Sequence, residues 1–204
     1  MNAEPQFKKG RKYDQVISGA RDVFMREGYE GASVDEIARD AGVSKATLYS
    51  YFQDKQALFL AVLQGECNIQ KKASMELACQ EQDIATALHH MASSILCFLM
   101  SENGLAIFRI CVAEAQRFPK LGQAFYETGP KNGMVQLSAF MASPKAQAEL
   151  NISDPWGAAD TFMQLCRSDL MLQRLMGVAD IPDEATIKAH ADEVVKTFLA
   201  RYGR

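Results

Sequence analysis

SVDEIARDAGVSKATLYSYFQDKQALFLA, residues Ser33 to Ala61, reads as two short helices joined by a tight turn and followed by a third. Ser33 is a good N-cap and Glu36 stands three residues later, so the pair is placed to form a reciprocal capping box that starts a helix at Val34. Val34, Ile37, Ala38 and Ala41 then share one face. Gly42 follows the last apolar position, where a left-handed cap favours a residue without a Cβ, and Ser44 two residues on caps a second helix. The connecting turn is about three residues long, the spacing of a helix-turn-helix. Val43, Leu48 and Phe52 are spaced to face the first helix. Lys45, Ala46, Thr47, Tyr49, Ser50 and Tyr51 are left pointing outward on the second, the helix that this motif presents to a major groove.

Together with the preceding FMREGYEGAS, the run IARDAGVSKATLYSYFQDKQAL resembles the DNA-binding domain of the tetracycline-repressor (TetR/AcrR) family of bacterial transcription regulators. The resemblance runs from Tyr13 to Val62 and rests on Gly28 and Tyr29 after the first helix, IA..AGVS, TLY.YF, and a lysine opening the next helix. It implies an all-α fold: a three-helix DNA-binding domain, residues 1–53, joined by a long helix to an α-helical ligand-binding and dimerisation domain, residues 54–204. It also implies contacts with a double-stranded operator from Ser33, Ser44, Lys45, Ala46, Thr47, Tyr49, Ser50, Tyr51 and Lys55. Lys45 suits guanine, and Ala46 and the Thr47 methyl suit a thymine methyl. Ser33, Tyr49, Tyr51 and Lys55 fall at the positions that the resemblance assigns to the phosphate backbone.

Composition sets bounds. A chain of 204 residues modestly exceeds the roughly 150 of one ordinary domain. Net charge is −3; nine basic residues face nine acidic ones up to Gln64, and thirteen face sixteen beyond it. Attraction to phosphate must therefore be local. Lys8, Lys9, Arg11 and Lys12 form the one dense basic cluster, a solvated tail or an arm for phosphate or the minor groove. No apolar run is long enough to span a bilayer and the first residues lack a secretion signal, so a cytoplasmic protein is expected. Five widely spaced cysteines without a C-x-x-C pair read as reduced thiols. His89 and His90 are adjacent and cannot share a helix face, so no metal site is expected. No phosphate loop or nucleophile elbow is present, and no cofactor or enzymatic activity is expected.

Helical periodicity continues to the C-terminus. Helices are expected from about Lys12 to Glu27, from a cap at Asp54 to about Cys79, from Asp83 to about Met100, and from Glu102 to Phe118 before Pro119. Gly129, Pro130, Gly133 and Pro144 are expected to break the next region into helices near Gly122 to Thr128 and Lys131 to Ala142. Asp154 and Pro155 open a helix ending before Gly177, and Asp183 opens the last, to about Tyr202. AEAQRFPKLGQAFYETGP (Ala113 to Pro130) and FMQLCRSDLMLQRLMG (Phe162 to Gly177) resemble the regulatory domain of AefR-like members of the same family.

The helix from Pro155 is apolar on more than one side, which suggests burial against a second copy. The resemblance implies a homodimer through the last two helices, with Phe162, Leu170, Ile187, Val194 and Phe198 at the interface. The middle helices are rich in Met and Phe, which with the resemblance favours a cavity for an apolar or aromatic effector. Phe98, Phe108, Cys111, Phe125 and Phe162 are its expected walls, with Arg109 and Arg167 as polar groups. The chain thus reads as a one-component regulator, most simply a repressor released by a small ligand. The alternatives are a DNA-architectural protein without an effector and an all-helical enzyme.

Overall fold

The computed structural model describes residues 10–66, 81 and 83–204. Among them the chain is all-α, with one isolated bridge between Leu150 and Gly203. It divides into two compact units: one holds the chain up to Gly65 together with Ile110–Phe125, the other Glu66–Arg109 with Tyr126–Arg204. The first unit thus takes in a stretch from the middle of the chain that a division after Gln53 in chain order does not include.

In the first unit, α1 (Arg11–Gly31) buries Val16, Gly19, Ala20, Val23 and Phe24 on one stripe. Its regular part stops at Gly28, whose φ of 72° breaks the helix one residue after the expected end. Next come α2 (Val34–Asp40), α3 (Lys45–Tyr51) and α4, helical over residues 55–66. Asp54 caps α4, its Oδ1 accepting the Ala57 amide at 2.7 Å. The expected continuation of α4 towards Cys79 lies outside the described residues, as do Lys8, Lys9, Cys67 and Cys79. Phe24, Leu48, Leu58 and Phe59 fill the middle of this unit at 0% exposure. Gly19 matters most for its shape: a Cβ there would lie 2.7 Å from the Ala41 nitrogen. The absence of that methyl lets α1 touch the end of α2.

The second unit is built on α5 (Ile84–Met100), capped by Asp83 and buried along Leu88, Met91, Leu96 and Met100. α6 (Glu102–Glu114) follows, and its last five residues belong with the first unit. α6 ends short of the expected Phe118: residues 115–118 form a turn, and Pro119 opens α7 (Pro119–Tyr126) rather than merely ending α6. Gly129, Pro130 and Gly133 do not break the chain as expected. Glu127–Lys131 is a π-helical turn that leads without a gap into α8 (Asn132–Met141). Proline lacks an N–H and clashes with the carbonyl four residues back, and the wider i→i+5 turn accommodates both. A short α9 (Pro144–Glu149), capped by Ser143, was not anticipated either.

The helix expected from Pro155 to Gly177 is two helices, α10 (Pro155–Cys166) and α11 (Asp169–Met176). The Arg167 amide is shared between the Met163 and Gln164 carbonyls, both at 3.1 Å, and Ser168 leaves helical geometry. The break sends the apolar residues of the second half to different surroundings: Met171 is buried, whereas Leu172 is 52% and Met176 70% exposed. α12 (Glu184–Tyr202) starts at Asp183 as expected. Its Ile187, Val194 and Phe198 join Phe162 of α10 in the unit's own core, with Leu170 packed against them. Phe162 meets Phe198 edge-on at 5.2 Å. Phe162, Ile187, Val194 and Phe198 are therefore interior residues of a single subunit, because α5 and α10 already cover that face of α12, while Leu170 is half-buried.

Gly19→Ala is expected to lower stability by about 1–3 kcal/mol through overpacking, although alanine is the better helix former by about 1 kcal/mol. Gly31→Ala, whose methyl would meet nothing nearer than the Glu27 Cβ at 3.5 Å, is the control. Thermal melts of both variants check this. An unchanged midpoint for Gly19→Ala shows that the α1–α2 contact yields freely.

Candidate nucleic-acid interface

The turn between α2 and α3 is fixed by hydrogen bonds that depend on one left-handed residue. Gly42, at φ 64°, sends its amide to the Arg39 carbonyl, and the Val43 amide reaches back to the Ala38 carbonyl, both at 3.0 Å. These are the two bonds of a Schellman cap. Ser44 then starts α3, its Oγ accepting the Thr47 amide at 3.1 Å and lying 2.9 Å from the Thr47 hydroxyl. Leu48 and Phe52 are buried, as spacing requires, while Ala46, Tyr49 and Ser50 are exposed and Thr47 and Tyr51 half-buried. The Ser50 hydroxyl donates to the Thr47 carbonyl at 2.6 Å. Tyr51 sets its ring edge-on to Tyr13 of α1 at 5.8 Å.

Ser33 accepts the Glu36 amide at 3.1 Å, which is half of the expected capping box. Glu36 turns its carboxylate to Arg26 of α1 instead, at 2.6 Å. Arg26 also holds Glu27 at 2.8 Å and Asp40 at 3.2 Å. The hydrogen bonds that Arg26 donates to Glu36, then Glu27 and Asp40, raise its pKa above the ordinary arginine value. Lys45 pairs with Asp35 of α2. Thus the single cation of α3 meets a carboxylate of the supporting helix.

Lys55 donates to the Glu30 carbonyl at 3.2 Å and the Ala32 carbonyl at 3.0 Å, and its ammonium lies 4.8 Å from the centre of the Tyr29 ring. An ammonium has three donors, so one remains for another acceptor. Tyr29 is buried between Phe59 at 5.2 Å and Phe118 at 5.1 Å. Burial raises its phenol pKa, helped by the charges of Asp54, Glu30 and Glu114. Arg117 pairs with Glu30 at 3.3 Å, which ties the α6–α7 turn to the same loop. Sequence reasoning missed the part played by Arg117 and Phe118. The available signal was an aromatic residue directly before Pro119, at the end of a helical pattern.

The expected effector residues are drawn from both units. Cys111 and Phe125 belong to the first unit; Phe98, Phe108, Arg109, Phe162 and Arg167 belong to the second. Phe162 is wholly buried core, Phe98 and Phe108 are half-buried, and Arg167 ends α10. Arg109 spends its guanidinium on the Arg174 carbonyl at 2.6 Å and the Leu175 carbonyl at 2.9 Å, capping α11. An open concavity of about 430 Å³ lies elsewhere in the second unit, lined by Val135, Ser138, Ala139, Ala142, Asp154, Pro155 and Trp156. Burial pushes the Cys166 thiol up to about 12 and raises that of Cys97, the opposite of what a reactive thiolate needs. His89 pairs with Asp192 at 3.0 Å and His90 with Glu81 at 3.2 Å, and no metal-holding cluster occurs among the described residues. No single helix among them is long and apolar enough to cross a membrane.

Comparison with known proteins gives matches over most of the chain. The family described as bacterial regulatory proteins, tetR family, matches residues 16–62, and the AefR-like transcriptional repressor C-terminal domain matches residues 86–204. A TetR-family transcriptional regulator from Mesorhizobium loti superposes with a TM-score of 0.87 at 28% identity, covering 98% of this chain and 100% of that one. The flavonoid-responsive regulator FrrA gives 0.72 at 34% identity, covering 95% of this chain and 98% of that one. The fatty acid metabolism regulator protein of Bacillus subtilis (strain 168) is 31% identical over 105 residues, 48% of this chain and 51% of that protein. The chain thus spans about half the length of that curated relative.

Lys55→Met, which keeps the stem and removes the ammonium, is expected to cost about 1 kcal/mol, because two loop carbonyls lose a charged donor. Denaturant titration reads the loss. Unaltered stability assigns Lys55 to the surface rather than to the loop.

Proposed function

Because the chain belongs to the tetR family of bacterial regulatory proteins, whose members are DNA-binding transcriptional regulators and not enzymes, we propose that it is a cytoplasmic, ligand-responsive repressor that binds a near-palindromic operator as a homodimer. The observation that carries the reading is the α2–turn–α3 geometry: a reading helix pinned by Gly42 and Ser44, with Leu48 and Phe52 inward and Lys45, Ala46 and Tyr49 outward. Residues 1–53 supply the DNA-binding part, and residues 54–204 bind the ligand and the second subunit. Lys45, Ala46 and Thr47 face base edges in the major groove. Ser33, Ser44, Tyr49, Ser50 and Tyr51 touch the backbone, joined by the third donor of Lys55.

In this reading two copies meet through α10 and α12. Since Ile187, Val194, Phe198 and Phe162 are interior, contact falls to the opposite face of α12, where Ala185, Ala189, Glu193, Lys196 and Ala200 are exposed. The two reading helices then lie about one helical turn apart, roughly 34–36 Å, on one side of the duplex. Sedimentation of the full chain tests this: a folded monomer that binds the operator at full affinity removes the dimer from the mechanism.

The effector in this proposal is apolar or aromatic. The responsiveness of FrrA to flavonoids, at 34% identity over nearly all of that chain, supports an aromatic ligand; the B. subtilis fatty acid regulator supports an acyl one. The half-buried Phe98 and Phe108 are the walls we assign to it, with Arg167 nearest in kind to a polar partner. Arg109 is better read as a cap for α11. A ligand that displaces the middle helices alters the spacing of the two reading heads and forfeits bivalent binding.

Lys45→Ala is expected to cost about 1–3 kcal/mol on a duplex selected by the wild-type protein and to relax preference at one base pair. Equal loss on random DNA reassigns Lys45 to phosphate. A flavonoid or a long-chain acyl-CoA that binds is expected to weaken operator affinity about 5- to 150-fold, with the same factor in reverse. A bound compound that leaves operator affinity unchanged sinks the release mechanism and leaves DNA binding standing.

A further inference from the structure

The first turn of α3 carries one cation, Lys45, and α2 sets a carboxylate against it. Both side chains stay open to water, Lys45 at 57% and Asp35 at 68% exposure, so neither is needed for packing. An exposed ion pair contributes little to stability, at most about 1 kcal/mol. A carboxylate is also an unfavourable neighbour for DNA phosphates. Glu36 and Asp40 are held by Arg26, away from the reading face, whereas Asp35 is turned towards it. A carboxylate in the first turn of α2 is favoured by the positive end of the helix, worth at most about 1 kcal/mol at the surface, but that preference does not require it to reach across to Lys45, and affinity for DNA alone argues against a carboxylate there.

We infer that Asp35 is a specificity-determining positioning residue that acts through Lys45. The inference rests on the reading of Lys45 as a base contact. On random-sequence DNA, the attraction of a protein for the duplex comes almost wholly from cations that release phosphate counterions. Asp35 cancels the charge of Lys45 and removes most of its share of that attraction. On the operator the geometry differs. The Lys45 ammonium has three donors. It keeps one on Asp35 and directs the others to the O6 and N7 acceptors of guanine, which demand direction as well as charge. Asp35 therefore weakens wrong sites more than the right one. It also narrows the arc that the flexible lysine stem explores, so that the ammonium arrives at the base edge already oriented.

The test uses the full chain, a duplex selected from a random library by the wild-type protein, and a scrambled duplex of equal length. Asp35→Asn is expected to strengthen binding to the scrambled duplex about fivefold per subunit at physiological salt and to steepen its salt dependence by about one unit per subunit. Operator binding changes less, so the operator-to-scrambled ratio falls by several-fold. Asp35→Glu restores the ratio. In a Lys45→Ala background Asp35→Asn leaves the ratio where Lys45→Ala alone puts it. The inference is overturned if Asp35→Asn shifts both duplexes equally, if Asp35→Glu behaves like Asp35→Asn, or if the ratio moves further in the Lys45→Ala background. Failure of the underlying reading looks different: Lys45→Ala then leaves preference unchanged at every base pair of the selected duplex.

Discussion

The left-handed cap at Gly42 is the constraint on which the rest of the DNA-facing geometry depends. Its positive φ closes α2, brings Val43 back to the Ala38 carbonyl, and fixes the direction in which Ser44 launches α3. A residue with a Cβ resists that backbone conformation. Rotating the turn would carry Leu48 out of the core and Lys45 away from Asp35 together, since both ride on one seven-residue helix. The close approach of Gly19 to Ala41 serves the same end from the other side, by seating α1 directly against the end of α2. Two glycines and two serine caps thus fix the reading helix, and the exposed side chains need no packing of their own to stay in place.

The features that could be read in the sequence were those with a local cause. Ser33, Ser44, Asp54, Asp83, Asp154 and Asp183 were each marked as helix starts by residue type, and each accepts an amide from the first turn of its helix. Val16, Ala20, Val23 and Phe24 stand at helical spacing and form the buried face of α1 for the same kind of local reason. Where the cause was non-local the reading failed. Pro130 looks like a break, yet a π turn absorbs it. The stretch around Arg167 contains neither glycine nor proline, and the helix breaks there anyway. Phe162, Val194 and Phe198 were legible as apolar, but pattern alone does not say whether the covering surface is the same chain or another. The structure shows that α5 and α10 cover α12.

Charge in the first unit is arranged rather than abundant. With equal numbers of acidic and basic residues up to Gln64, no broad positive field draws this part of the chain to a polyanion. Arg26 gathers Glu27, Glu36 and Asp40 on the side away from the reading face. Lys55 places its cation on carbonyls and an aromatic face.

Residues 110–125 fold with the N-terminal unit although more than forty residues separate them from it along the chain. Phe118 closes over the Tyr29 ring and Arg117 pairs with Glu30. The N-terminal compact unit is therefore not closed by its first three helices alone. Recombination that exchanged only the N-terminal segment between relatives would join a Tyr29 from one parent to a residue 118 selected in another. An exchange that respects chain order alone thus separates the Tyr29–Lys55 loop from the Phe118 turn that packs on it.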